Sequence, residues 1–414
     1  MNKRVMELKK VEVWDGNMAN SQALRQADVD VIAAYPITPS TATVENYCMF
    51  HANGYVDGEV IMTESEHAAM SACIGAGAAG GRVATATSSQ GLALMIETLY
   101  QASGMRIPVV LCLVNRALAA PLNVNGDHSD LYLTRDSGWI SIDAFNPQEA
   151  YDMTLMSFKI SEHPAVRLPV ISNQDGFMTS HTAQNVTPLE DKVACDFVGP
   201  YLQVNALLNF DKPVTHGVQT EQDWHFEHKA KQHAALMTSK KVILETFAQF
   251  KELTGREYKL VETYGIEDAD VAIVCIGSTF ETAMLAIDQI REEEGIKVGV
   301  VAPRVFRPFP LEEMAEALQN VKAVACMDRS APGGTVGALY NEVAGALINS
   351  PARPSVSNLI YGLGGRDMTV ASLKNIFRTL DKEAKEGKLA GKIQRFVGVR
   401  GPELSFYEPQ GESK

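Results

Sequence analysis

The sequence has no long apolar run. None of its hydrophobic stretches approaches the roughly 20 residues a membrane-spanning helix needs. The opening MNKRVMELKKVEVW is basic but lacks the apolar core of a signal peptide, so a cytoplasmic protein is expected. There is also no excess of positive charge. Lys and Arg number 37 against 50 Asp and Glu, a net charge of -13, which argues against a surface built for nucleic acid or a membrane of anionic lipid. Cysteine is sparse and scattered. Cys48, Cys73, Cys112, Cys195, Cys275 and Cys326 include no CxxC and no Cys/His cluster. That pattern fits reduced, mostly buried thiols and excludes an iron–sulfur cluster or zinc site built within this chain alone. No metal site is expected on it, and no internal repeat or low-complexity segment is found.

What is present is an ordinary globular composition, 46% hydrophobic and 21% charged over 414 residues, enough for two or three domains. The first half alternates strand and helix signals. DVDVIAAYP, EVIMTES, RVATATSS, IPVVLCLVN and RLPVISN read as strands, with TATVENYCMFHAN, HAAMSACIGAGAAGG, QGLALMIETLYQASG and NPQEAYDMTLMSFKISE as helices. Such alternation predicts a parallel sheet with helices on both faces, an α/β fold. From about 180 to 230 the period is lost and a long connection is expected. An amphipathic linking helix follows over 236–258, with Leu236, Ile243, Phe247 and Phe250 on one stripe and Gly255 as its stop. A second α/β unit is expected over 259–380, and a charged tail over 381–414.

Ligands of a parallel sheet bind beyond the carboxyl ends of its strands. Three expected strand ends carry reactive groups: YPITP at 35–39, TESEH at 63–67 and NRAL at 115–118. Thr38 sits between Pro36 and Pro39, so its hydroxyl is presented from a stiff turn. Thr38, Ser40 or Thr41 could equally cap the next helix. Glu64 and Glu66 flank Ser65. One of them, buried, could hold a proton for a ligand nitrogen; alternatively Thr63 and Glu66 have capping-box spacing. Arg116 follows a buried run and suits a carboxylate ligand held bidentately, or an internal pair with Asp127 or Asp130. GAGAAG at 75–80 matches GxGxxG, yet its glycines fall inside a helix and close packing on the sheet explains them better. His225, His228 and His233 could bind metal, though a solvated face is the simpler reading.

Together YPITP, SEHAA, SSQGL, NRALAAPLNV with GDHSD and RDSGW, QDGF, SH and GLGGRD, in this order and spacing, resemble the α chain of the 2-oxoacid:ferredoxin oxidoreductases, from about residue 15 to 375. The resemblance implies a thiamine-diphosphate pyrimidine-binding domain over 1–235 including the connection, followed by a transketolase C-terminal-like domain. It implies that Glu66 bonds the aminopyrimidine N1′ of thiamine diphosphate and so promotes loss of the thiazolium C2 proton. Thr38, with Pro36 and Ile37, is then expected beside cofactor and substrate. Arg116 is expected on the substrate carboxylate.

The family's chemistry needs more than this chain offers. Thiamine enzymes hold the diphosphate and Mg²⁺ at a GDG motif that is absent here, and electrons must leave through iron–sulfur clusters. The resemblance therefore implies a diphosphate-binding β subunit that supplies the Mg²⁺ site, and γ and iron–sulfur δ-type subunits. Ferredoxin, or a flavin subunit passing electrons to NAD, would be the acceptor and coenzyme A the co-substrate. Pyruvate-specific members carry a bulky aromatic between the arginine and the Asp-His stretch. Here the segment reads NVNGD with Asn125 in that place, which suggests room for a larger 2-oxoacid such as phenylglyoxylate. The competing readings are a self-sufficient transketolase-like homodimer, against which the missing GDG stands, and a non-catalytic α/β scaffold, against which the joint presence of Thr38, Glu66 and Arg116 stands.

Overall fold

The computed structural model describes residues 4–400, which form two compact units. Those up to Gly126, with Asp130–Lys259 and Val305–Pro308, make the first; Asp127–Ser129, Leu260–Arg304 and those from Phe309 on make the second.

The first unit runs β1 (Glu12–Trp14), α1 (Gly16–Gln26), β2 (Val31–Ala34), α2 (Thr41–Ala52), β3 (Glu59–Met62), α3 (Glu66–Ala79), β4 (Val83–Thr87), α4 (Ser89–Gly104), β5 (Val110–Asn115), α5 (Ser129–Leu133), β6 (Ile140–Ala144), α6 (Pro147–Glu162), β7 (Val170–Asp175), β8 (Gln184–Val186), α7 (Asp191–Val198) and α8 (Gln222–Thr254). Strands β6, β7, β5, β4, β2 and β3 lie side by side in that order, all parallel. Every residue of β4, β5, β6 and β7 is buried. Burial of whole strands is what a sheet covered on both faces gives, and β5, VLCLVN, shows the near-continuous apolar run that goes with it. Helix α3 comes close to this sheet at Gly77, where a Cβ would stand 2.6 Å from Ile107 Cγ2; Gly75 has open space around it. The second glycine of GAGAAG thus serves helix packing. Four of the cysteines are buried, Cys48 is half-buried and Cys195 exposed.

The expected structureless connection from 180 to 230 is corrected. It contains β8, paired antiparallel with β1, then α7 and the start of α8. Helix α8 begins at Gln222, not near 236, and its first ten residues are all exposed, so no apolar period marks them. His225, His228 and His233 lie on this solvated beginning. Farther along, Ile243, Phe247 and Phe250 are buried and Leu236 half-buried, and Gly255 ends the helix at φ 76°. Deep ion pairs fasten the layers: Arg82 forks onto Glu162 at 2.7 and 2.8 Å, and Arg256 onto Asp152 at 2.6 and 2.9 Å.

The second unit continues with β9 (Val261–Tyr264), β10 (Val271–Val274), α9 (Thr279–Glu294) and β11 (Val298–Pro303). The next strand, β12 (Val305–Arg307), belongs to the first unit, antiparallel to β6 at the sheet edge. Then come α10 (Leu311–Ala317), β13 (Ala323–Asp328), α11 (Ala338–Leu347), β14 (Ser355–Ile360), α12 (Val370–Glu386) and β15 (Gln394–Phe396). The sheet order is β15-β14-β13-β10-β11-β9, parallel except for β9. Among the described residues no helix is long and apolar enough to cross a membrane.

Asp328 closes β13 beneath the first turn of α11. It accepts the N–H groups of Leu339 at 2.8 Å and Tyr340 at 3.2 Å, and Asn358 Nδ2 at 2.7 Å. A Cβ on Gly337 would collide with it. Burial outweighs these donors and raises its carboxyl to about 6. The folded chain therefore keeps a proton that the unfolded chain loses near pH 4, and the associated stability is full below pH 4 and lost as pH rises through 6. The expected loss is about 3 kcal/mol. Asp328→Asn should lack this step. Urea unfolding of both proteins from pH 4 to 7 checks it, and parallel curves would refute the assignment.

Candidate active site at the carboxyl edge of the first sheet

Strand β3 joins one side of β2 and the next strand, β4, joins the other, so the chain reverses direction between β2 and β4. A crevice at such a switch point is where open parallel sheets bind ligands. The segment after β2 holds Thr38, the one after β3 leads to Glu66, the one after β4 holds Ser88 to Gly91, and Arg116 follows β5. Because these strands are parallel, all four segments lie along one edge.

Thr38 is exposed with Pro36, and Ile37 is half-buried. The capping alternative fails. Ser40 is the residue before α2, and no side chain caps that helix; the Ser40 hydroxyl donates instead to Ile37 O at 2.9 Å. The turn is held from outside: Asn17 Nδ2 donates to Pro39 O at 3.0 Å and Arg116 Nη1 to Thr38 O at 3.0 Å. Among the described residues the Thr38 hydroxyl itself has no partner.

Of the two glutamates Glu64 is exposed and Glu66 buried. The capping box is not formed. Ser65 caps α3 by accepting from Ala68 N at 3.2 Å, while Thr63 donates its hydroxyl to Ala34 O and Ser65 O. Glu66 is the first helical residue, in the favourable field of the helix N-terminus. Nothing among the described residues donates a hydrogen bond to its carboxylate.

Arg116 is buried, and its guanidinium makes no ion pair among the described residues. Nε donates to Asn123 O at 3.1 Å and Nη1 to Thr38 O. Asp130 meets the main-chain N–H of Arg116 at 2.9 Å, not its side chain. Two carbonyls therefore aim the group while its remaining N–H donors stay available, the arrangement a carboxylate ligand needs. The loop from 117 to 125 is closed by Ala117 N donating to Asn125 O at 3.0 Å. Asn125 is exposed, next to the arginine's own loop. The structure thus joins Thr38 and Arg116 directly, whereas no hydrogen bond links Glu66 to either.

Four further residues belong to this edge, and of them residue-by-residue reading picks out only Asp130, as a possible partner for Arg116. A Cβ on Gly91 would collide with Thr87 Oγ1 and stand 2.6 Å from Glu66 Oε1, so Gly91 is the cradle of the Glu66 carboxylate. Thr87 Oγ1 and Ser88 Oγ are buried there without a hydrogen-bond partner among the described residues. Asp130 is fully buried among main-chain donors. All but Thr87 stand in SSQGL and GDHSD, which were legible chiefly as parts of an ordered motif set.

Comparison with known proteins decides the family. Residues 22–248 match the family described as pyruvate flavodoxin/ferredoxin oxidoreductase, thiamine diphosphate-binding, and residues 269–373 match the pyruvate:ferredoxin oxidoreductase core domain II. This chain belongs to the 2-oxoacid:ferredoxin oxidoreductase family, as an α subunit. It is 44% identical over 385 residues to the pyruvate synthase subunit PorA of Thermotoga maritima, covering 93% of this chain and 97% of that one. It is 43% identical over 386 residues to the ketoisovalerate oxidoreductase subunit VorA of Pyrococcus furiosus, again covering 93% and 97%. Family members with two different substrates are thus equally similar to it. A solved 2-oxoglutarate:ferredoxin oxidoreductase from Magnetococcus marinus shares the fold with a TM-score of 0.70 at 22% identity, covering 91% of this chain and 66% of that chain. A split-gene transketolase shares it with a TM-score of 0.51 at 13% identity, covering 90% and 99%.

Proposed function

We propose that this chain, with partner subunits, catalyses oxidative decarboxylation of a 2-oxoacid with coenzyme A to acyl-CoA, carbon dioxide and reduced ferredoxin. The observation that carries the proposal is the buried Glu66 carboxylate, cradled by Gly91 and without a hydrogen-bond partner among the described residues. A buried polar group left unpaired is costly, and the donor that relieves it is the protonated N1′ of a bound aminopyrimidine. The residues present therefore fit thiamine diphosphate. When bound, that cofactor supplies the carbon nucleophile and the electron sink for decarboxylation.

Glu66 holds and returns the proton at N1′. Arg116 binds the substrate carboxylate through its unused donors. Thr38 offers its hydroxyl where charge develops on the substrate oxygen, with Pro36 and Ile37 forming the wall beside it. The diphosphate and its Mg²⁺ are assigned to a β subunit, since this chain has no GDG. The clusters are assigned to γ and δ-type subunits, with ferredoxin or a flavin and NAD subunit as acceptor. Pyruvate is the substrate named for several relatives; the exposed Asn125 favours a bulkier 2-oxoacid, with phenylglyoxylate as the test case.

The complex purified through this chain should reduce viologen with coenzyme A and one of pyruvate, 2-oxoisovalerate, 2-oxoglutarate or phenylglyoxylate. A preference for pyruvate would remove the Asn125 argument. No activity with any of them, in a complex that contains every subunit, would remove the proposal. Gly91→Ala supplies a second check. Its methyl group must displace the Glu66 carboxylate, so turnover should fall about a hundredfold, with a stability cost of about 1–3 kcal/mol read from thermal unfolding. Unchanged turnover would show that the cradle is not catalytic.

A further inference from the structure

We propose that Asp130 is a positioning residue that sets the Arg116 guanidinium for the substrate carboxylate; this rests on the substrate role assigned to Arg116 above. Asp130 Oδ2 accepts the main-chain N–H of Ser89 and of Arg116, each at 2.9 Å. Its Oδ1 accepts Asn115 Nδ2 and the Leu131 N–H, each at 2.8 Å. An ionised carboxylate offers only acceptors, and here four donors converge on it with no solvent exposure. Two of them, Ser89 and Arg116, stand two residues beyond β4 and one beyond β5, which are neighbours in the sheet.

The turn after β4 is strained. Ser89 has φ 50°, a left-handed conformation that a residue with a side chain rarely takes and that persists only where its surroundings hold it. Its N–H donates to Asp130, and its Oγ stands 2.6 Å from both Ala117 O and Gln90 Oε1, which compete for its one proton. The Asp130 carboxylate thus locks the β4 turn to Arg116. The guanidinium is fixed at its far end by Thr38 O and Asn123 O. A carboxylate this near could have paired with the guanidinium and cancelled it. Asp130 grips the backbone instead, which locates the cation and leaves its donors for an incoming anion.

Asp130→Asn keeps the shape but turns an NH₂ group toward N–H donors. In the assembled enzyme the KM for the 2-oxoacid should rise about tenfold, with kcat within about threefold and half-saturation by thiamine diphosphate unchanged. In an Arg116→Gln background the same change should add nothing to KM. A merely structural role lowers kcat, substrate affinity and cofactor affinity together and adds to Arg116→Gln; either result overturns the proposal. If Asp130→Asn does not assemble, Asn115→Ala removes one donor and should still raise KM about threefold with cofactor half-saturation unchanged; no rise overturns it. If Arg116→Gln itself leaves KM unchanged, the substrate role of Arg116 fails. If Arg116→Gln raises KM and Asp130→Asn does not, the positioning role alone fails.

Discussion

Glu66→Gln should reduce turnover of the assembled complex by about a thousandfold or more while leaving assembly intact. The magnitude follows from the task. Positioned proton transfer contributes typically 10²–10⁴ in rate, and Glu66 is the only buried carboxylate in the turn between β3 and α3. Glutamine has the same shape but cannot carry the proton between states. Folding should be nearly indifferent to the change. No described residue bonds the carboxylate, and the helix is capped by Ser65, not by Glu66. What the fold loses is the interaction of one charge with the first turn of α3, about 0.3–1 kcal/mol. Single-turnover rates, thermal unfolding and gel filtration of the reconstituted complex would together check this. Activity within tenfold of the parent would mean that the proton is handled elsewhere.

The strands were readable because a doubly covered parallel sheet favours apolar and β-branched residues, and VLCLVN and VATAT supply them. The ends of those runs marked the edge at which Thr38, Glu66 and Arg116 stand. Local sequence could not choose between Glu64 and Glu66, nor between a cap and a catalytic group, because burial and hydrogen-bond partners are set by segments distant in the chain; only the resemblance of the ordered motifs pointed to Glu66. Glu66 meets Gly91, 25 residues on, and Arg116 meets Thr38, 78 residues back. The start of α8 escaped because a helix exposed on every side has no apolar stripe to show. Strand β12, three residues taken from the far half of the chain, gives no local sign of joining the first sheet.

Arg116→Gln should raise the KM for the 2-oxoacid roughly a hundredfold and spare kcat by comparison. Truncating one partner of a desolvated charge pair costs about 2–5 kcal/mol, and a factor of a hundred corresponds to about 3. The effect falls mainly on KM because the substrate carboxylate is bound before and during reaction alike. Lysine should rescue poorly. Its single ammonium cannot donate to Thr38 O and Asn123 O while also meeting a carboxylate in a fork. It would also release the Thr38 carbonyl, so Arg116→Lys should lower kcat somewhat where Thr38 is displaced. The decisive comparison is one of binding, a 2-oxoacid against its neutral amide as a competing ligand, because the amide has no carboxylate to lose as carbon dioxide and can only bind. The parent enzyme should favour the acid strongly, and Arg116→Gln should erase most of that preference by weakening the acid alone. If the preference for the acid survives, another cation reads the carboxylate, and the two carbonyls that hold Arg116 are then part of the loop's architecture only.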